Sequence, residues 1–438
     1  VPQPPAAYRV LAGLAFRLLP LAGLLSTKLA AGDRERRRAL DRWRAWARDH
    51  RDPARPRLWV HAPSVGEGLQ ANAVLGLLRN RHPEWQIVYS FFSPSAQPLA
   101  ARQPVDHADF LPYDTKTTMA ALVEAIGARA LVFTKLDLWP CLATSAAEAG
   151  TRVGMIAGTV SPISGRLHPL ARWLAHSGYQ ALELVGAIDA PDAARLKTLG
   201  VSPAAIEITG DPRFDSALHR ARLAVPAEIA ALTAAGPPLV AGSTWPEDER
   251  IVLEAFAAVR SGHPAARLVL VPHEPTADHL GSIEAAAGRL GLAVRRLSGL
   301  QPGETPECLV VDRTGILASL YPGAMAGFVG GGFGHAGLHS VLEPAAAGLP
   351  VAFGPRWQSS REAGLLLAAK AAIALPTADR AAAALADLWR GWLDRPADRH
   401  GQGRRALAVV ENELGAADRS AELIERLMAV QRPTTTPS

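Results

Sequence analysis

Short apolar and β-branched runs recur along this chain, each followed by a loop and then a stretch with helical spacing. The first series is RLWVHA (57–62), QIVYSFF (86–92), ARALVF (128–133), RVGMIAG (152–158), ALELVGAID (181–189) and IEITG (206–210). After a mixed stretch the pattern restarts with PPLVAGS (237–243), RLVLVPH (267–273), LAVRRL (292–297), CLVVD (308–312), MAGFVGG (325–331), PVAFGP (350–355) and AIALP (372–376). Strands separated by helices pair in parallel through crossover connections, so the alternation predicts parallel sheets covered by helices. The restart predicts two of them: an α/β chain of two Rossmann-like, doubly wound domains. The expected boundaries are an N-terminal helical arm over 1–50, a first domain over 51–215, a linker over 216–236, a second domain over 237–376, and helices and a tail over 377–438. The last six residues read as frayed. No repeat of 20–50 residues is visible, which excludes solenoids and propellers. Two such sheets in series are expected to leave a crevice at the carboxyl ends of their strands, where ligands of such folds bind. Loops that follow strands are therefore where chemistry is sought.

Composition narrows the classes. With 48% hydrophobic and 20% charged residues over 438 positions, the chain has the makeup of an ordered protein rather than a disordered one. Two cysteines, Cys141 and Cys308, match no zinc or redox spacing and read as buried free thiols. The net charge of +5 is unevenly distributed: residues 1–57 hold 13 Lys/Arg against 5 Asp/Glu, and the remainder holds 33 against 36. A near-neutral body with one basic edge argues against a nucleic-acid groove. Residues 8–31 are apolar but interrupted by Arg17, Pro20 and Lys28, and Arg34, Arg36, Arg37, Arg38, Arg42, Arg44 and Arg48 follow, with Trp43 and Trp46 among them. The pattern is unlike a secretory signal, whose charge precedes its apolar run. Basic residues and Trp beside an apolar helix suit an anionic membrane surface, either lain upon or spanned; packing of an amphipathic helix on the body is the alternative.

Two loops stand out. HAPSVGEG (61–68) follows the first strand, with Ser64, Gly66 and Gly68 permitting a tight turn and Glu67 at the start of a helix. A carboxylate there is electrostatically at ease without any catalytic duty, or it is a general base for an acceptor hydroxyl. His61 reads as a core histidine rather than a cleft group. VGGGFGHAGLHSVLEPAAAGLP (329–350) has three consecutive glycines, then Gly334 and Gly337, then a helix expected near Leu338. Backbone N–H groups at such a helix start can cradle phosphate, with His339 and Ser340 adding donors and Glu343 accepting from ribose hydroxyls; a plain strand–helix turn is the alternative. Smaller loops add Ser243 and Thr244 in AGSTWPEDE (241–249), able to cap a helix near Pro246, His273 in VPHEP (271–275), and Arg356 in FGPRWQ (353–358) as an anion partner.

Taken with LPYD (111–114), DLWP (137–140), TGDPRFD (209–215) and GLHSVLEPAAAGLP (337–350), these segments give the chain a resemblance, over nearly its full length, to the 3-deoxy-D-manno-octulosonic acid (Kdo) transferases. These are membrane-associated GT-B-fold glycosyltransferases of lipopolysaccharide inner-core assembly. The resemblance implies inverting transfer of Kdo from CMP-Kdo to a lipid A precursor, on the cytoplasmic face of the inner membrane, with no bound metal or organic cofactor and no nucleic-acid partner. It places the general base on Glu67 and the donor contacts on Ser243, Thr244, His273, Gly337, His339, Ser340 and Glu343. Ser64, Gly66, Asp137 and Arg356 are further cleft candidates, and anionic lipids of the inner membrane are the expected surface. The chain departs from the family where E-T-E-L-W-P becomes Lys135-Leu136-Asp137-Leu138-Trp139-Pro140, and where N-A-R-L-S becomes Ala157-Gly158-Thr159-Val160-Ser161. Both changes lie on the acceptor side. Another nucleotide-sugar transferase of the same fold, or a membrane-bound scaffold without activity, are the readings these departures leave open.

Overall fold

The computed structural model describes residues 2–22, 27–226, 229, 232, 236–301 and 303–429. The chain forms two compact units: residues up to Ser216 together with those from Leu414 onward, and Ala217–Glu413.

The first unit is built on seven parallel strands: β1 (Arg57–His61), β2 (Gln86–Phe91), β3 (His107–Phe110), β4 (Ala130–Thr134), β5 (Arg152–Gly158), β6 (Leu184–Ala187) and β7 (Ile206–Ile208). Their order is β3-β2-β1-β4-β5-β6-β7. β1 lies between β2 and β4, pairing His61 with Ser90 on one side and with Phe133 on the other. β1, β2 and β4 are buried along their whole length, as a sheet covered on both faces requires. The strand order reverses at β1/β4, and in doubly wound sheets that switch point opens the ligand crevice beyond the carboxyl ends.

The second unit repeats the plan with β8 (Leu239–Thr244), β9 (Leu268–Pro272), β10 (Val294–Arg296), β11 (Cys308–Val310), β12 (Ala326–Val329), β13 (Val351–Phe353) and β14 (Ala372–Ala374). The order is β10-β11-β9-β8-β12-β13-β14, again parallel, with its switch point at β8/β12. Cys141 and Cys308 are buried free thiols.

Three expectations change. Trp43 and Trp46, read above as membrane-facing, are core residues of the first unit. They lie on helix α2 (Thr27–His50); the Trp43 indole N–H donates to the Phe110 carbonyl at 3.0 Å, and Trp46 stacks on His107. Several arginines of the same arm are likewise committed to the body: Arg42 makes two 2.7 Å bonds to Asp109, and buried Arg36 lies over the Phe92 ring and donates to its carbonyl. Arg34, Arg38 and Arg44 remain exposed. Second, the block 377–438 is divided. Helices Ala378–Asp394 and Pro396–Asn412 belong to the second unit, whereas helix Ala416–Ala429 returns to the first. Its start is capped by Asp215, whose carboxylate accepts from Gly415 and Ala417 N–H, and Arg419 donates to the Thr209 carbonyl. Third, helix Pro212–Ala221 runs through the expected start of the linker. Residues 227–228, 230–231, 233–235 and the tail beyond Ala429 lie outside the described residues, as do the side chains of Pro20 and Lys28.

Candidate active site

β1 ends at His61, and helix α3 (Val65–Arg81) starts three residues beyond Ala62, with Ser64 as its N-cap. Gly68 is demanded by packing: a Cβ there would lie 2.7 Å from Leu99 and 2.9 Å from the Tyr89 hydroxyl. Gly66 meets no such wall; the nearest atom to its Cβ would be the Ser64 hydroxyl at 3.9 Å. Glu67 thus stands in the first turn of α3, at the carboxyl end of β1 and at the switch point.

The Ser64 hydroxyl makes no capping bond and donates instead to Glu67 Oε2. Lys135, in the loop after β4, places Nζ 2.9 Å from Glu67 Oε1. Burial pushes the Glu67 carboxyl upward, but the Lys135 charge and the bonds from Ser64 and Lys135 outweigh it and hold the group below the ordinary glutamate range. The acid is ionised near neutral pH. A cavity of about 440 Å³ opens beside it, lined by Pro63, Ser64, Glu67, Phe92, Ser93, Lys135, Leu136, Asp137 and Arg166. Asp137 pairs with Arg166 at 2.6 Å. Ala157–Ser161 lacks the arginine of N-A-R-L-S, and Arg166, in a loop that carries no motif, brings an arginine to the pocket.

His61 is fully buried. Its Nδ1 bonds to the Ser90 hydroxyl at 2.9 Å, and its Nε2 accepts from the Trp139 indole at 3.1 Å. Burial pushes its pKa down to about 4, so it is a neutral core group that ties the DLWP loop to β1.

In the second unit the loop after β8 and the glycine run after β12 meet at the other switch point. Asp248, in the first turn of helix Pro246–Arg260, accepts from Trp245 N–H at 2.9 Å and from Gly331 N–H at 2.8 Å. The run of glycines is explained largely by packing: added Cβ atoms would lie 2.4 Å from the Ser243 carbonyl oxygen at Gly330, 2.0 Å from the Gly337 carbonyl at Gly331, and 2.7 Å from Gly354 N at Gly332. Gly337 differs. It has φ +82° and open space where a side chain would stand.

The candidate residues of this unit fall in different places. His273 and His339 stack at 4.3 Å between centroids, and His273 stacks on Trp245 at 5.0 Å. The Trp245 indole N–H donates to His339 Nε2, and burial followed by the neighbouring His273 pushes the His339 pKa down to about 4. Ser243 has left-handed backbone at φ 55°, and Ser340 is exposed. Thr244 is turned inward: its buried hydroxyl donates to Glu249, which in turn bonds His279, so that hydroxyl is already committed within the unit. The helix cap is Trp245, not Ser243 or Thr244. The helix after the glycine run begins at Leu342 rather than near Leu338 and covers only Leu342–Ala346, so His339 and Ser340 precede it. Glu343 pairs with Arg220 at 3.0 Å, and Arg356 is exposed and donates to the Gly334 carbonyl. Trp245, Asp248, Lys135 and Arg166 were not among the site candidates read from sequence. Trp245 and Asp248 sit inside AGSTWPEDE and could have been proposed from it.

Comparison with known proteins bears on the family and the fold. A family model described as "3-Deoxy-D-manno-octulosonic-acid transferase (kdotransferase)" matches residues 34–216. A curated 3-deoxy-D-manno-octulosonic acid transferase of Bordetella pertussis is 28% identical over 396 residues, covering 87% of this chain and 90% of that protein. Among solved structures, UDP-GlcNAc 2-epimerase from Neisseria meningitidis aligns with a TM-score of 0.62 at 9% identity, over 84% of this chain and all of that one. A glycosyltransferase from Rickettsia africae aligns with 0.59 at 10% identity, over 86% and 99%. These structural likenesses speak for the GT-B fold alone. The two parallel sheets, the family model over the first unit and the near full-length likeness to curated relatives make the chain similar to the Kdo transferases and support a glycosyltransferase.

Proposed function

We propose that this chain transfers Kdo from CMP-Kdo to a lipid A precursor with inversion at the anomeric carbon, as part of lipopolysaccharide core assembly. The observation that carries the reading is Glu67: an ionised carboxylate on a solvent-open cavity, at the carboxyl end of β1 where the strand order reverses. In this mechanism Glu67 takes the proton of the acceptor hydroxyl. The hydroxyl oxygen bonds to the anomeric carbon, and the bond from that carbon to the CMP phosphate breaks, its electron pair leaving on the phosphate. The donor carries its own leaving group, so no resident metal or organic cofactor takes part. The loop of Gly337, His339 and Ser340, with the rings of Trp245 and His273, holds the nucleotide, and fixed N–H donors stabilise the charge that develops on CMP.

The reading includes work at an anionic membrane surface. Helix α1 (Ala6–Ala22) exposes Val10, Leu11, Leu14 and Leu18 on one face, and it touches helix Pro169–Gln180. That helix and the loop before it expose Ile163, Leu170 and Trp173. Arg9, Arg17 and Arg172 flank these side chains, and residues 2–22 and 159–180 contain no acid. Among the described residues no helix is long and apolar enough to cross a membrane.

The deciding experiment is transfer from freshly generated CMP-Kdo to a lipid A precursor. Glu67→Gln and Glu67→Ala should fold and still bind CMP, yet lose about 10²–10⁴-fold in turnover. Near-normal turnover in either variant removes the assigned base. Binding of UDP or GDP in preference to CMP points to another nucleotide-sugar donor.

A further inference from the structure

Glu67 does not face its cavity alone. Lys135 carries the cation that holds it, and Lys135 is one of four non-glycine residues with left-handed backbone among the described residues, at φ 65°. Such a backbone in a long-chain residue persists only where its surroundings fix it, and such residues cluster at functional sites. Here the Lys135 N–H donates to the Ile156 carbonyl at 2.8 Å, fixing the turn that points the ammonium at the base. The pair is asymmetric: the Lys135 side chain is 43% exposed and that of Glu67 only 13%. Across the same cavity Arg166 pairs with Asp137. The two cations balance the two carboxylates, so an entering anion meets a site that is neutral overall and holds one mobile ammonium. Arg166 is nearly as exposed, at 39%, so what sets Lys135 apart is its chemistry: an ammonium on a flexible stem exchanges one anionic partner for another more readily than a planar guanidinium fork.

We propose that Lys135 is a latch on the base: it recognises an anionic group of the acceptor, a phosphate monoester or a carboxylate, and by turning to that group it frees Glu67 to take the acceptor hydroxyl proton. The inference rests on the reading of Glu67 as base. In the resting pair Oε1 is occupied by Nζ, and a hydroxyl cannot donate to it from the same side. Once the acceptor anion holds Lys135, Oε1 is open and the carboxylate has lost a stabilising charge, so its proton affinity rises when it must accept a proton. The other groups facing Glu67 do not supply this control. His61 on β1 is neutral, its pKa pushed down to about 4 by burial, and the Tyr89 hydroxyl on β2 is pushed upward by burial and then by Glu67 itself. The charged groups of helix Ala416–Ala429, which also packs on α3, engage Arg81 at the far end.

The test needs no transfer reaction. The Glu67 carboxyl is titrated by ¹³C NMR in the full chain, for wild type and Lys135→Met, with and without inorganic phosphate as the probe. The latch requires Glu67 to titrate at lower pH in wild type than in K135M. It requires phosphate to move the wild-type curve toward that of K135M, and to leave K135M unmoved. Coincident curves for the two proteins, or a wild-type curve that phosphate does not move, overturn the latch and leave the Glu67→Gln experiment standing on its own. A kinetic arm separates the sources of the anion. K135M should raise KM by about tenfold or more for an acceptor that keeps the recognised group, with Lys135→Arg recovering part of the loss. Stripping the phosphate from the acceptor abolishes that difference if phosphate is the group read, and preserves it if a sugar carboxylate is. A K135M effect confined to kcat, equal for every acceptor, overturns recognition.

Discussion

At the scale of single residues, chemistry here is decided by what each polar side chain is already bonded to. Glu67 and Asp137 keep open space beside them, whereas Thr244 spends its hydroxyl on Glu249. Asp248, one of three consecutive acids in PEDE, is the group that ties the glycine loop to the next helix. His61 has a consequence for stability. It is buried neutral with a pKa near 4, against 6.5 for the ordinary side chain. Between those values the unfolded chain binds a proton that the folded chain refuses, so stability falls as pH drops from about 6.5 to 4. The loss should amount to at most about 3 kcal/mol. Thermal unfolding of His61→Gln measured across this range should show a shallower decline than wild type. Parallel curves would mean that the ring is not held neutral.

At the scale of elements, the N-terminal arm combines two functions that sequence pattern does not separate. Arg42, Trp43 and Trp46 clamp α2 to the sheet edge at β3, and Arg36 ties it to Phe92 just after β2, so much of the basic, tryptophan-rich signal is structural. The apolar face left over belongs to α1, a helix of 17 residues and about 25 Å, shorter than the hydrocarbon core of a bilayer. Its neighbour with Trp173 had no part in the sequence reading, because one exposed Trp in an ordinary helix carries no periodic signal. Each of these side chains contributes about 1.5–3 kcal/mol when buried in an apolar phase. Leu14→Glu with Trp173→Glu should therefore release the protein from vesicles containing anionic lipid, as read by co-sedimentation, without lowering its unfolding temperature. Undiminished binding of the double variant would assign attachment elsewhere.

At the scale of the whole molecule, each unit brings two loops together at its own switch point, β1/β4 in one and β8/β12 in the other. The division of labour proposed for them gives a direct expectation. CMP should slow amide exchange around Trp245–Glu249 and Gly330–Glu343 and leave the Ser64–Glu67 turn unchanged, while UDP at equal concentration should protect less. Protection centred on the first unit would reverse the assignment of donor and acceptor sides.

What the sequence by itself determined is the alternation. Thirteen of the strands follow apolar runs such as RLWVHA and RVGMIAG, because a strand covered on both faces must be apolar along its length. β3 escaped notice because HADF alternates polar residues at an edge, where His107 packs against Trp43 and Trp46 and Asp109 against Arg42. Motif residues that hold their place through neighbours in sequence, as Ser64 does with Glu67, were also legible. Tertiary structure alone decided the partners distant along the chain: Lys135 on Glu67, Arg166 on Asp137, Asp215 capping a helix 200 residues later, and Trp245 on His339. Periodicity reports which face of an element is buried. It carries no record of which charge lies opposite, because that depends on where separate loops converge once the sheets have closed.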